Sequence, residues 1–164
     1  MKRGINMEKS AIITTEKGFY VGDPCYVFEG SWMEIVDSFY DDSKKDKLTA
    51  VLNGTKIGMS NTAYGDGMYA GSDGQDYPVD AGLIGITPLE IVEVKLEDDC
   101  HFGKIVPYKG RATVAYDEGT ITIAFLDDEN LADIVIHTAD DEDYEDEYED
   151  EDGYDDFLAR DNWL

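Results

Sequence analysis

The C-terminal segment of the chain, residues 140–164, contains too much charge to belong to a packed domain. From Asp140 to Asp161 there are fourteen carboxylates and a single cation, Arg160. Few aliphatic residues accompany them, so apolar burial cannot offset the conformational entropy that folding would cost. We therefore predict one globular domain, residues 1–139, followed by a disordered acidic and aromatic tail, residues 140–164.

The rest of the chain is acidic as well. The formal net charge is −25 at pH 7, and residues 1–139 hold twenty-four acids against twelve bases. A chain of this charge repels nucleic acid and anionic membranes, which argues against direct binding to either. The partners that it can attract are cationic: a divalent metal ion, or a protein whose basic groove normally holds DNA or RNA.

The cysteines and the N-terminal residues bear on the compartment. Cys25 and Cys100 lie far apart without a Cys-x-x-Cys pair, a pattern typical of reduced thiols rather than of a disulfide framework. No apolar run follows Lys2 and Arg3, as a secretory signal would require, and no stretch approaches the ~20 apolar residues of a membrane span. We expect a cytoplasmic protein with no membrane partner.

Short runs rich in β-branched and aromatic residues, separated by glycines, dominate the first 139 residues. They predict strands at residues 11–15, 19–21, 25–28, 55–59, 82–86, 91–96, 111–116 and 120–125, and a further strand that ends at His137. Between Tyr116 and Thr120, the segment Asp117-Glu118-Gly119 predicts a hairpin with a three-residue loop.

One helix is predicted among these strands. Ser31 is a candidate N-cap, and Glu34 three residues later would complete a capping box. Apolar side chains then recur on one helical face, at Trp32, Ile35, Val36 and Phe39. The sequence therefore predicts an α+β fold, mostly antiparallel β, with one short helix packed on the sheet.

The segment from Asn61 to Pro88 is rich in glycine and aspartate. Asp66-Gly67 and Asp73-Gly74 are turn dipeptides, and Tyr69 and Tyr77 flank the second of them. This spacing predicts a strand, a turn and a strand that present their aromatic side chains on one face.

Three motifs in this part of the chain carry a resemblance. They are Asp23-Pro24 after a strand, the turn Tyr64-Gly65-Asp66-Gly67, and Val79-Asp80-Ala81-Gly82 before a short strand. Over roughly residues 11–95 the chain resembles a family of small, mostly uncharacterised β-rich proteins of phages and bacteria. The resemblance implies a compact β-rich fold, no established activity and, for a phage protein, the host cytoplasm as its compartment.

A cation site is one functional alternative for the glycine-rich segment. Asp73, Asp76 and Asp80 offer hard oxygen ligands on glycine-containing loops. Their spacing does not fit an EF-hand loop, which requires a regular series of oxygen ligands that ends in a glutamate. We therefore treat the three aspartates only as weak candidates, expect them to stabilise turns, and expect no cofactor.

No catalytic motif is recognisable. His101 and His137 are the two histidines that could act as bases near neutral pH. His101 follows Cys100, but adjacent residues on a strand point to opposite faces, so these side chains could not form a catalytic pair. We predict a non-enzymatic protein. The sequence leaves open whether three aspartates in predicted turns converge: Asp23, Asp66 and Asp80.

The tail resembles a nucleic acid in its charge density. Its fourteen carboxylates would lie about 5 Å apart in an extended chain and about 2.4 Å apart in a helix. Duplex DNA carries one charge per ~1.7 Å of axis, and a single strand one per ~3.4 Å. Aromatic rings recur between the acids and could occupy surfaces on which bases stack.

We therefore predict that the tail occupies a basic, nucleic-acid-binding surface of a host protein, as a DNA-mimic inhibitor of a defence or nucleic-acid-processing enzyme would. The predicted partner-binding residues are Asp141, Asp143, Tyr144, Glu145, Asp146, Tyr148, Asp150, Asp152, Phe157 and Trp163. Two alternatives stay open. The tail could be an inert or self-regulating solubiliser beside a body that holds a ligand or divalent metal at Asp66, Asp73, Asp76 and Asp80. It could instead steer the docking of an assembly protein.

Overall fold

A computed structural model describes residues 10–41, 43, 47–96 and 102–139. The strands are β1 (Ser10–Thr15), β2 (Gly18–Gly22), β3 (Thr49–Leu52), β4 (Thr55–Asn61), β5 (Gly67–Ala70), β6 (Asp76–Val79), β7 (Leu83–Pro88), β8 (Gly103–Pro107), β9 (Gly110–Asp117), β10 (Thr120–Phe125) and β11 (Ile134–His137). The helix α1 spans Trp32–Phe39, and short 3-10 turns span Pro24–Val27 and Leu89–Ile91.

The strands form two antiparallel sheets and a separate hairpin. The four-stranded sheet has the order β1-β9-β10-β11, the five-stranded sheet has the order β3-β4-β7-β2-β8, and β5 pairs with β6. Every pairing is antiparallel. The predicted α+β class, mostly antiparallel β with one short helix, is confirmed. The predicted acidic tail lies outside the described residues.

The two sheets enclose the larger of two hydrophobic clusters. Phe19 and Val21 of β2 face this cluster together with Val114 of β9 and Ile121 of β10. Tyr77 and Val79 of the β5–β6 hairpin contribute to the same cluster. At Gly58, an added Cβ would lie 2.8 Å from Cγ1 of Ile13, so the close approach of the two sheets requires glycine there.

Helix α1 covers the opposite face of the five-stranded sheet. Ile35 and Phe39 are fully buried there, in a second cluster with Tyr20 and Ile57. Strand β2 is therefore buried on both faces, as expected for a strand inside a three-layer arrangement of sheet, sheet and helix. No helix in the described ranges is long and apolar enough to cross a membrane.

Two predicted strands are wrong. Residues Pro24–Val27 form a 3-10 turn, because Pro24 fixes the backbone at the first position and Asp23 accepts a hydrogen bond from the N–H of Cys25. Residues 91–96 run irregularly across the helix side of the sheet. Their alternating apolar residues pack on the second cluster without a partner strand. The alternation in the sequence therefore reflects burial of these side chains and not pairing with another strand.

Two local details also differ from the predictions. The β9–β10 loop has two residues, Glu118 and Gly119, both with positive φ (51° and 90°), because Asp117 and Thr120 pair as strand residues. The capping box at α1 is wrong, since Ser31 makes no side-chain cap to the helix. Glu93, from the irregular segment, instead accepts hydrogen bonds from the N–H of Glu29 and from the N–H and hydroxyl of Ser31.

Candidate functional site

Several loops lie at one end of the two-sheet sandwich, next to the last described residues of the chain. Strands β4, β9 and β11 finish at this end, and β7 and β10 begin there. Hydrogen bonds connect the loops directly: the N–H of Thr62 donates to the carbonyl of Gly82 at 3.0 Å. We call residues 62–66, 80–82, 117–119 and 138–139 the acidic end, since they include four acids and neither lysine nor arginine. These acids are all exposed: Asp66, Asp80, Asp117 and Glu118.

Thr138 fixes the point at which the tail leaves the body. It is 1% exposed, and its N–H donates to the carbonyl of Gly119 at 2.7 Å. Its hydroxyl donates to the same carbonyl at 2.6 Å and accepts the N–H of Ala63 at 2.9 Å. A Cβ on Gly119 would lie 2.2 Å from Cβ of Ala139, so the hairpin tip packs tightly on the last described residue. We call this set of contacts the Thr138 link.

Loop 62–66 is held from within. The hydroxyl of Thr62 donates to the carbonyl of Gly65 and accepts its N–H, both at 2.7 Å. The hydroxyl of Tyr69 donates to the same carbonyl at 2.8 Å. Tyr64 and Met68, which flank this turn, are 63% and 64% exposed. The acidic end therefore presents apolar surface beside its carboxylates.

A buried carboxylate accepts hydrogen bonds from the main chain of loop 80–82. Asp23 is fully buried and accepts three main-chain N–H groups, from Cys25 at 2.9 Å, Asp80 at 2.8 Å and Ala81 at 2.7 Å. Burial raises the pKa of Asp23, and the three hydrogen bonds oppose this increase. The side chain thus joins the end of β2 to the loop that precedes β7.

The neighbours of Asp23 are poorly suited to nucleophilic chemistry. Burial, and then the negative charge of Asp23, raises the pKa of the Cys25 thiol to about 12. Burial and the charge of Asp80 raise the pKa of Tyr26 to about 12. Both groups are therefore protonated at neutral pH, and a protonated thiol is a weak nucleophile.

Tyr26 forms a ring pair with Phe102 beside Asp80. The two rings are stacked with centroids 4.6 Å apart and planes 21° apart, and Phe102 is 50% exposed. Asp23 brings Asp80 close to Tyr26, because it accepts the N–H of Asp80 and the N–H of Cys25. The hydroxyl of Tyr20 donates to the carbonyl of Phe102 at 2.9 Å. The ring pair is thus attached to the core through a fully buried tyrosine.

Asp73 lies in a separate polar network. It accepts hydrogen bonds from Nζ of Lys104 at 2.8 Å and from the hydroxyl of the buried Tyr77 at 2.7 Å. Burial alone would raise the pKa of Asp73, but the hydrogen bonds from Lys104, Tyr77 and the N–H of Gln75 lower it below 3.8. The side chain of Gln75 donates to the carbonyl of Gly103, so loop 71–75 is tied to β8 by two side chains.

The weak metal candidates therefore have different environments. Asp73 is engaged by Lys104, whereas Asp76 and Asp80 are exposed. Within the described ranges, His, Cys, Asp and Glu form no group of three that could hold a metal ion. The sequence left open whether Asp23, Asp66 and Asp80 converge. Asp23 contacts Asp80 through the main-chain N–H of Asp80.

Of the remaining predicted residues, one lies in a strand and the others lie outside the described residues. His137 lies at the end of β11, and its Nδ1 is 3.0 Å from the hydroxyl of Thr120. Cys100, His101 and the ten predicted partner-binding residues of the tail lie outside the described residues.

Sequence reasoning missed Thr138 and the main-chain partners of Asp23. Both side chains act through main-chain groups that are distant in the sequence, and no local pattern identifies such contacts. The Asp23-Pro24 pair was the available signal, since Asp before Pro commonly begins a turn.

Comparisons with known proteins add no assignment. The chain matches no family model, no curated protein and no solved structure. The resemblance to a phage and bacterial family stays a prediction.

Proposed function

We propose that the chain is a non-enzymatic acidic protein that binds a basic, nucleic-acid-binding surface of another protein and excludes DNA or RNA from it. The observation that supports this proposal best is the position of the tail root. The Thr138 link places Ala139 beside the hairpin tip with Asp117 and Glu118, and joins it to the loop that contains Asp66. The tail begins at the next residue, so in the sequence its carboxylates follow directly on the acidic end.

The charge of the described body supports the same proposal. Among the described residues, eighteen acids stand against seven lysines and arginines. A basic groove evolved to hold polyphosphate attracts such a surface through long-range electrostatics, which mainly increases the association rate. The exposed Tyr64 and Met68 add apolar area at the acidic end that a purely charged surface would lack.

A host protein that normally binds nucleic acid is the partner class that fits this arrangement. If the chain is encoded by a phage, as its resemblance implies, inhibition of a defence or nucleic-acid-processing enzyme in the host cytoplasm follows naturally. The tail residues predicted to bind would then occupy positions that phosphates and bases normally take.

The test uses the full chain and two full-length variants. The charge variant replaces Asp141, Asp143, Glu145, Asp146, Asp150 and Asp152 by the corresponding amides. The ring variant replaces Tyr144, Tyr148, Phe157 and Trp163 by serine and keeps every carboxylate. Each protein is immobilised and exposed to a bacterial lysate at low and at raised salt, and the retained protein is identified. In a second assay, the retained protein is bound to a fluorescent DNA duplex, and release of the duplex is measured when the full chain or a variant is added.

The full chain is expected to retain a nucleic-acid-binding protein and to displace the duplex, with retention that weakens as salt increases. The charge variant should lose both properties. The ring variant should retain the protein more weakly, because stacking contributes about 1–3 kcal/mol per base-sized ring. Equal retention by the full chain and the charge variant would contradict the proposal.

A further inference from the structure

We propose that the Tyr26–Phe102 ring pair and Asp80 together form a binding site for an arginine side chain. The inference rests on the proposed function in one respect: it takes the partner to be a basic protein. It adds a defined recognition point on the folded body, separate from the tail.

The ring pair leaves part of Phe102 exposed. Tyr26 stacks on one face of Phe102 at a centroid distance of 4.6 Å, and Phe102 is still 50% exposed. Because Tyr26 stacks on one face of Phe102, we infer that a ligand would use the opposite face or the outer edge of the ring. An aromatic face attracts a cation within about 6 Å of its centroid, and a planar guanidinium can also stack on the ring.

A carboxylate lies near the ring pair. Asp80 is exposed, and its N–H donates to the carboxylate of Asp23, whose other oxygen accepts the N–H of Cys25, the residue before Tyr26. Among the described residues, no lysine or arginine forms an ion pair with Asp80. Its charge is thus available to a cation that lies over the rings.

The parts of the site are fixed before any ligand arrives. The carbonyl of Phe102 accepts the hydroxyl of the fully buried Tyr20, and the N–H of Asp80 donates to the fully buried carboxylate of Asp23. The neighbouring carbonyl of Gly103 accepts the side chain of Gln75. Such preorganisation lowers the entropic cost of binding.

Arginine fits this site better than the other candidates do. Its planar guanidinium can stack on Phe102 while its N–H groups donate to Asp80, whereas a lysine ammonium is a compact, strongly hydrated charge. A stacked nucleotide would bring its phosphate next to Asp80 and the other acids of the acidic end, which disfavours it.

The test is an NMR titration of the full-length chain with the tripeptide Gly-Arg-Gly. Citrulline in place of arginine gives an uncharged peptide of nearly the same shape. The readouts are the ring protons of Tyr26 and Phe102 and the amide of Gly103, which report on this site and not on the tail. The variants are Phe102→Leu, Asp80→Asn and, as a matched control that removes an exposed ring elsewhere on the body, Tyr40→Leu.

Saturable shifts at the ring pair with the arginine peptide, and none with the citrulline peptide, are expected. Phe102→Leu should weaken this binding about two- to five-fold, the range for an exposed cation–π contact. Asp80→Asn keeps the N–H that Asp23 accepts and should also weaken binding, whereas Tyr40→Leu should leave the affinity unchanged. Shifts confined to tail residues, equal shifts with citrulline, or an unchanged affinity in Phe102→Leu would each overturn the inference.

The two proposals fail separately. If the ring pair does not respond to arginine but the chain still displaces a DNA duplex from a captured protein, the arginine site is wrong and the proposed function stands. If the ring pair binds arginine while no nucleic-acid-binding protein is captured, the site stands and the proposed partner class is wrong.

Discussion

Replacing Asp23 should reveal how strongly one buried carboxylate stabilises the acidic end. Asp23→Ala would leave three partly buried N–H groups, those of Cys25, Asp80 and Ala81, without their acceptor. A hydrogen bond to a charged group contributes about 1.5–3 kcal/mol, and partial solvent access reduces this value. We therefore expect Asp23→Ala to lower the free energy of unfolding by about 3–4 kcal/mol.

Asp23→Asn is the matched variant. Its amide oxygen can keep the two bonds from Asp80 and Ala81, while the amide nitrogen faces the N–H of Cys25 and loses that bond. The expected loss is about 1 kcal/mol. With a urea m-value of about 1.5 kcal/mol/M, the unfolding midpoint would fall by about 2 M for alanine and by somewhat less than 1 M for asparagine.

The assay is urea unfolding at pH 7 followed by far-UV circular dichroism, with amide hydrogen exchange at Asp80 and Ala81 as a local readout. Both amides should exchange much faster in Asp23→Ala and remain protected in Asp23→Asn. Equal midpoints for the two variants would refute the idea that the three hydrogen bonds to Asp23 determine this stability. A decrease in unfolding free energy below about 1 kcal/mol for Asp23→Ala would refute it as well.

The pH dependence provides a second check on Asp23. Burial raises its pKa above the unfolded value of about 3.8, so the folded protein holds this proton more tightly than the unfolded chain does. The charged form therefore costs stability at neutral pH, and this cost is relieved as the pH falls through the folded pKa. Asp23→Asn lacks the titration, so the stability of the wild type relative to this variant should increase as the pH is lowered toward 4.

Three further variants test other parts of the fold. Asp73→Asn should lower the free energy of unfolding by about 1–2 kcal/mol at pH 7. Because the folded pKa of this carboxyl is lowered, the difference from wild type should disappear as the pH falls through that pKa. Urea unfolding at several pH values measures this difference. Thr138→Val leaves a main-chain N–H without its acceptor and should cost about 1–2 kcal/mol, with faster amide exchange in loop 62–66. Gly58→Ala should cost about 1–3 kcal/mol by thermal unfolding because its Cβ would press on Ile13, whereas Gly30→Ala, with open space around it, should change little.

Local sequence patterns predicted the elements whose burial follows a simple period. The apolar face of α1 is correct, with Ile35 and Phe39 fully buried. The strand, turn and strand in the glycine-rich segment are also correct, and Tyr69 and Tyr77 lie directly opposite each other in the hairpin. In both cases the residues that specify the element are close together in the sequence.

The errors arose where distant contacts decide the outcome. The alternating residues of segment 91–96 read as a strand, yet Glu93 is held by groups near the start of α1 instead of by a partner strand. One local signal was available and missed: Asn53-Gly54, with φ of 53° and 82°, forms the two-residue loop between β3 and β4.

The candidate site was less predictable than the fold. Asp23 was recognised as a turn residue, but its partners Asp80 and Ala81 follow 57 and 58 positions later. They meet it only because β2 and β7 are neighbours in the sheet. The ring pair of Tyr26 and Phe102 depends on the pairing of β2 with β8 in the same way, and periodicity does not encode sheet order.

The Thr138 link has a consequence for how affinity accumulates. Under the proposed function, the tail and the carboxylates of the body would act as two binding elements joined by a short connection, because the link fixes Ala139 at the acidic end. Once either element has bound, the other meets the same partner at an effective concentration that reaches the millimolar range for short connections. Two weak contacts can then produce a long-lived complex, and Thr138→Val would weaken that complex without changing the charge of the protein.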